Sequence, residues 1–127
     1  MQITLIISAI LILNANINAI MGNDALSIEK LWKEKLSNKT YIRDVYDCTD
    51  FSYEFGEILE ARGIESKGVY GKYYFNDDKT KFWIHRWIEI EGRPFEPTPG
   101  YPWSGEFIPD DIYNEKYKII RYTRVRW

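Results

Sequence analysis

The sequence predicts an α+β domain with its helices first and an antiparallel sheet after them. Two observations carry that expectation. Up to Gly63 the apolar residues recur every three or four positions, the period of a helix with one buried face; beyond it they alternate, the period of a strand. No repeat or low-complexity linker divides the chain, and its 127 residues fit one domain of ordinary size.

The N-terminal stretch stands apart. No Asp, Glu, Lys or Arg precedes Asp24, and Ile3 to Leu13 is apolar apart from Thr4 and Ser8, before Asn14, Asn16 and Asn18 interrupt the run. An apolar core of that length fits the h-region of a secretory signal, about 7–15 residues, better than a spanning helix of about 20. The region before it lacks Lys and Arg, and Ile17 sits three residues from a cut after Ala19, so a retained anchor is kept beside a cleaved signal. Met21 is an alternative start. Residues 1–21 are thus read as a signal peptide or membrane anchor, and the protein as secreted or membrane-anchored, extracytoplasmic. Residues 22–127 form the folded domain.

Within it, Ile28, Leu31, Trp32 and Leu36 mark a first helix over residues 26–36, with Asp24 or Ser27 as its N-cap. A loop at Ser37–Thr40 follows. Phe51, Phe55, Ile58 and Leu59 mark a second helix from Cys48 to Arg62, and Gly63 stands where a left-handed C-cap is expected. Gly68–Phe75 reads as a strand, Asn76-Asp77-Asp78 as a turn and Lys81–Ile90 as a second strand. Glu91-Gly92 turns the chain again. Pro94, Pro97, Pro99, Pro102 and Pro109 make the next stretch irregular, and Tyr117–Trp127 closes the chain as a strand.

Composition excludes several classes. At 28% charged, 45% hydrophobic and 17% aromatic the chain is not disordered. One cysteine closes no intrachain disulfide, and one Cys with one His cannot fill a structural zinc shell, so no metal or other cofactor is expected. A net charge of −2 argues against a dedicated polyanion binder. The segment Lys116–Trp127 does interleave basic and aromatic residues, as an edge strand protected by charge or a polyanion-holding strand would. Nucleic acid is not an expected partner.

Chemistry concentrates in three residues. Cys48 opens the second helix, where unpaired N–H groups and the helix dipole favour an anion such as a thiolate. Free cysteines more often simply pack. His85 shares a strand face with Trp83, Trp87 and Glu89, while Phe82, Ile84, Ile88 and Ile90, broken by Arg86, make the opposite face look like core. Glu89 is too far along the strand to meet His85. If Glu91-Gly92 is a two-residue hairpin turn, Ile90 pairs with Arg93 and Glu96 becomes the diagonal neighbour of His85, within reach of long side chains; a slip of one residue would send Glu96 to the other face.

Together these residues resemble the transglutaminase-like branch of the papain-like cysteine enzymes. Tyr46-Asp47-Cys48-Thr49-Asp50 resembles the family's nucleophile segment, and Gly63 to Gly71 (GIESKGVYG) its passage from helix into strand. His85-Arg86-Trp87 stands where the family has His-Ala-Trp, and Glu96-Pro97-Thr98 where it has Asp-Pro-Thr. The similarity spans residues 41–101. It implies a transglutaminase-like, papain-like α+β fold with Cys48 as nucleophile, His85 as general base and acid, and Glu96 orienting the imidazole. Cys48 would form a thioester with an amide carbonyl of a peptide or protein, such as a cell-wall peptide, with hydrolysis favoured over crosslinking. Trp83, Trp87, Tyr101 and Trp103 would border the substrate groove. Departures are Glu for Asp, Arg86 in a small position, and Gln2 as the only glutamine, which leaves no papain-like glutamine for the oxyanion hole. A monomer is expected. The alternative function is a non-catalytic binding module of the same fold at the cell surface.

Overall fold

The computed structural model describes residues 25–124. The expectations for residues 1–21, for Asp24 as a cap and for the last three residues lie outside these. In chain order the elements are α1 (Ala25–Leu36), α2 (Cys48–Glu60), β1 (Ser66–Tyr74), β2 (Phe82–Ile90), β3 (Arg93–Phe95), α3 (Asp110–Lys116) and β4 (Tyr117–Thr123). Among the described residues the strands form one antiparallel sheet in the order β3-β2-β1-β4, against which the three helices pack. The chain is a small α+β domain. No helix among the described residues is long and apolar enough to cross a membrane.

The apolar stripes build the core. From α1, Ile28, Trp32 and Leu36 are buried; from α2, Phe55 and Leu59 meet them, together with Ile88, Ile90 and Phe95 of the sheet. Ser27 lies inside α1 and does not cap it. α2 starts at Cys48, as its stripe predicts, and ends at Glu60, with Gly63 left-handed at φ 73° three residues on. Its start is held by two aspartates. The Asp47 carboxylate accepts from the Thr49 N–H at 3.0 Å, and Asp50 accepts from the Asp47 N–H at 2.9 Å, which is a reciprocal capping box.

Register in the sheet follows from one turn. Glu91 and Gly92 are both left-handed, at φ 50° and 81°, and a two-residue turn of that hand matches the natural twist of paired strands. It sets Ile90 opposite Arg93, Glu89 opposite Pro94 and Ile88 opposite Phe95. The strand then stops two residues before Pro97, which has no N–H for a ladder. Phe82 to Ile84 therefore pair with β1 on one side and with no strand of the described residues on the other.

The structure corrects two expectations. The proline-rich stretch is not irregular throughout: Asp110–Lys116 forms α3. The faces of β2 also divide differently. Ile88 and Ile90 are core, but Phe82 and Ile84 are 41% and 49% exposed, whereas His85 and Trp87 on the other face are fully buried. The covering segments explain it. The helices cap the Ile88–Ile90 end, while residues 97–117 fold back over His85 and Trp87, where Tyr73, Val69, Ile108 and Tyr117 make a second cluster. Gly71 marks how close that packing is. A Cβ there would come within 2.2 Å of the Lys118 carbonyl oxygen and 2.5 Å of the Trp87 ring.

The returning segment is tied to α1. The Trp32 indole N–H donates to the Pro97 carbonyl at 2.9 Å, and the Phe107 N–H donates to Glu29 Oε2 at 3.2 Å. Gly105, left-handed at φ 76°, lies against the Trp32 ring so closely that a Cβ would approach it to 2.4 Å.

Candidate active site

His85 enters the interior from the middle of β2, and the Glu91-Gly92 turn brings Glu96 beside it. The His85 Nε2 and Glu96 Oε1 atoms are 2.7 Å apart, with both side chains fully buried. The diagonal placement expected from the turn is what the chain adopts. A buried carboxylate requires partners for its lone pairs, and Glu96 has them. Oε1 also accepts from the Tyr117 hydroxyl at 2.8 Å, and Oε2 accepts from the Thr98 N–H at 3.2 Å.

With Nε2 committed to Glu96, the ring nitrogen left for Cys48 is Nδ1. That atom is buried and completes no hydrogen bond of good geometry. Cys48 nevertheless bears on the imidazole. Burial alone lowers the His85 pKa, but the charge of Glu96, hydrogen bonding to Cys48 and Glu96, and the charge of Cys48 outweigh it and raise it to about 9. The ring orientation is fixed by packing. Tyr101 stacks on the imidazole with centroids 3.9 Å apart and planes at 20°, and Trp87 lies on at 5.7 Å.

Cys48 itself is half-buried and lines a cavity of about 870 Å³. Tyr41, Arg43, Trp83, Ile84 and Tyr101 share that wall. The capping box leaves one donor of the helix end unused. Asp47 takes the Thr49 N–H, Asp50 takes the Asp47 N–H, and the Phe51 N–H returns to the Asp47 carbonyl at 3.0 Å. The Cys48 N–H, as the first of the helix, has no carbonyl within it and no other partner among the described residues. An orphan N–H beside a thiol can hold a carbonyl oxygen that gains charge.

The structure pairs His85 with Glu96 and leaves Cys48 near enough to the imidazole to help raise its pKa, with Trp83 and Tyr101 at the cavity that Cys48 lines. It does not bring Trp87 or Trp103 there. Trp87 is fully buried, its indole N–H donating to the Tyr113 hydroxyl at 3.0 Å, so it has no surface to offer a substrate. Trp103 packs partly buried against the second cluster. The sequence reading missed Tyr117, Asp47 and Asp50. The aspartates were legible as a cap signal before an apolar stripe; Tyr117 was not, because its position depends on how β4 pairs with β1. Comparison with protein-family models, with curated proteins and with solved structures returns no match.

Proposed function

We propose that this chain is a cysteine-dependent acyl-transfer enzyme that cleaves an amide bond of a peptide or protein through a thioester, as a small transglutaminase-like member of the papain-like class. The observation that carries the proposal is the buried His85–Glu96 pair whose free ring nitrogen is left to a half-buried cysteine on a cavity wall.

The chemistry follows from those positions. His85, its pKa raised to about 9, holds its proton at neutral pH and faces Cys48 as a thiolate, whose sulfur bonds to the carbonyl carbon. The carbonyl oxygen, now negative, receives the Cys48 N–H. When the oxyanion collapses the C–N bond breaks, and His85 gives its proton to the leaving amine. Water then attacks the thioester, passes a proton to His85, and the C–S bond breaks to release the acid and regenerate the thiolate beside the protonated imidazole. Throughout, Glu96 holds the imidazole in one orientation and stabilises its charged form. Trp83, Tyr101 and Ile84 offer apolar surface to the substrate chain beside the scissile bond. If residues 1–21 direct export, peptides outside the cytoplasm are its substrates.

The test is thiol reactivity. Iodoacetamide should label Cys48 at neutral pH faster in the folded chain than in urea, and His85→Ala should slow that labelling. Equal rates in folded and unfolded chains would sink the proposal.

A further inference from the structure

We propose that Tyr117 is a positioning residue for the His85–Glu96 pair, a role that rests on reading Cys48 and His85 as the reacting groups. Glu96 Oε1 is shared: His85 Nε2 lies 2.7 Å from it and the Tyr117 hydroxyl 2.8 Å. A carboxylate oxygen held from two directions cannot swing about its last bond without breaking one of them. The Thr98 N–H, at 3.2 Å from Oε2, fixes the other oxygen less tightly. Removing the phenol would leave the longer of these contacts to set the angle at which the carboxylate meets the imidazole.

The hydroxyl is delivered by packing. Tyr117 opens β4 directly opposite Tyr73 of β1. Its ring lies 5.0 Å from those of both Tyr73 and Trp87, and 5.5 Å from Tyr113. Burial, the Glu96 charge and the hydrogen bond to Glu96 all raise the Tyr117 pKa, so the phenol keeps its proton and acts as donor only. The donation has an electrical consequence as well as a geometric one. Charge drawn from Oε1 toward the phenol is not available to the imidazole, so Tyr117 holds the basicity of His85 below what a bare carboxylate would set. The other groups facing the pair are Cys48 from α2, Tyr73 from β1 and Tyr101 from the segment after β3.

Tyr117→Phe keeps the ring and deletes the hydroxyl. The His85 titration midpoint, followed by the imidazole proton resonances, should rise by about half a pH unit. Turnover or Cys48 alkylation should fall about tenfold with KM unchanged, since the loss is one of orientation. In a Glu96→Gln background the same change should no longer move the midpoint, which a purely packing role for Tyr117 would not predict. Should the phenylalanine variant not fold, 3-fluorotyrosine at position 117 keeps the shape and strengthens the donor, and the midpoint should fall. An unmoved midpoint in a folded variant, or an equal shift in the Glu96→Gln background, overturns the proposal. An unmoved midpoint beside fast Cys48 labelling overturns the role of Tyr117 alone. A moved midpoint beside unenhanced labelling overturns the enzymatic reading and the positioning role with it.

Discussion

One strand, β2, lives in two environments. From His85 to Ile90 its inward side chains are sealed: His85, Trp87 and Ile88 have no exposure at all. From Phe82 to Ile84 the same strand, equally rich in large apolar residues, stays open, with Trp83 at 51% exposure. Composition does not separate the two halves; the segments crossing them do. The sealed half lies under Tyr101, Tyr113 and Tyr117, and the open half forms a wall of the cavity that holds Cys48. The boundary falls at His85. Its two ring nitrogens are both buried, Nε2 held by Glu96 and Nδ1 without a hydrogen-bond partner, and the next residue toward the open end, Ile84, lines the cavity.

That contrast can be broken from its sealed side first. Glu96→Ala would strand His85 Nε2, the Tyr117 hydroxyl and the Thr98 N–H, all buried. Removing one partner of a buried charge pair costs about 3–5 kcal/mol, a large part of the roughly 5–15 kcal/mol a domain possesses. Urea denaturation should register it. Trp87→Ala should cost a similar amount, about 3–5 kcal/mol, through the cavity left in the second cluster. Gly71→Ala tests the tightness of the same region by addition. With contacts of 2.2 and 2.5 Å to relieve, it should destabilise by about 1–3 kcal/mol, read from the shift in urea midpoint.

A pH series sharpens the boundary itself. The folded pKa of His85 is raised from 6.5 to about 9, so its contribution to stability is fully present below pH 6.5 and is lost as pH rises through 9. Thermal melts between pH 6 and 10 should fall across that window. In Cys48→Ala the upper end should move down, because hydrogen bonding to Cys48 and its charge both help to raise the value. The smallest effect belongs to the open half. Trp83→Ala should change stability by no more than about 0.5 kcal/mol while raising KM for a peptide amide several-fold. A large loss of stability there would erase the distinction between the halves.

The sequence carried more of the site than of its surroundings, for reasons particular residues make clear. Cys48 at a helix start is a local property, set by the stripe Phe51, Phe55, Leu59. Glu96 beside His85 needs only a two-residue turn and the alternation of strand side chains, both short-range. Tyr117 meets Glu96 across 21 residues, on a strand whose pairing shifts register between Tyr70 and Gly71, and no local pattern encodes that shift. α3 escaped notice because it has seven residues, no buried side chain and no side-chain cap, so it leaves no amphipathic signature. The mistaken core face of β2 has the same origin. Alternation tells which residues share a side, and only the long-range path of residues 97–117 tells which side is covered. Trp87, assigned to a groove on that alternation, is buried for this reason.

The ties between α1 and the returning segment give the molecule a boundary that motifs would draw in the wrong place. A fragment cut from Cys48 to Tyr117 would contain all the side chains discussed around the imidazole, yet it would lack the Trp32 indole on the Pro97 carbonyl and the Glu29 carboxylate on the Phe107 N–H. The peptide that carries Glu96 would lose its moorings next door, at Pro97. The smallest functional unit is therefore longer at its front than the family-like residues suggest, and a trimmed expression clone or a transplanted site has to bring α1 along.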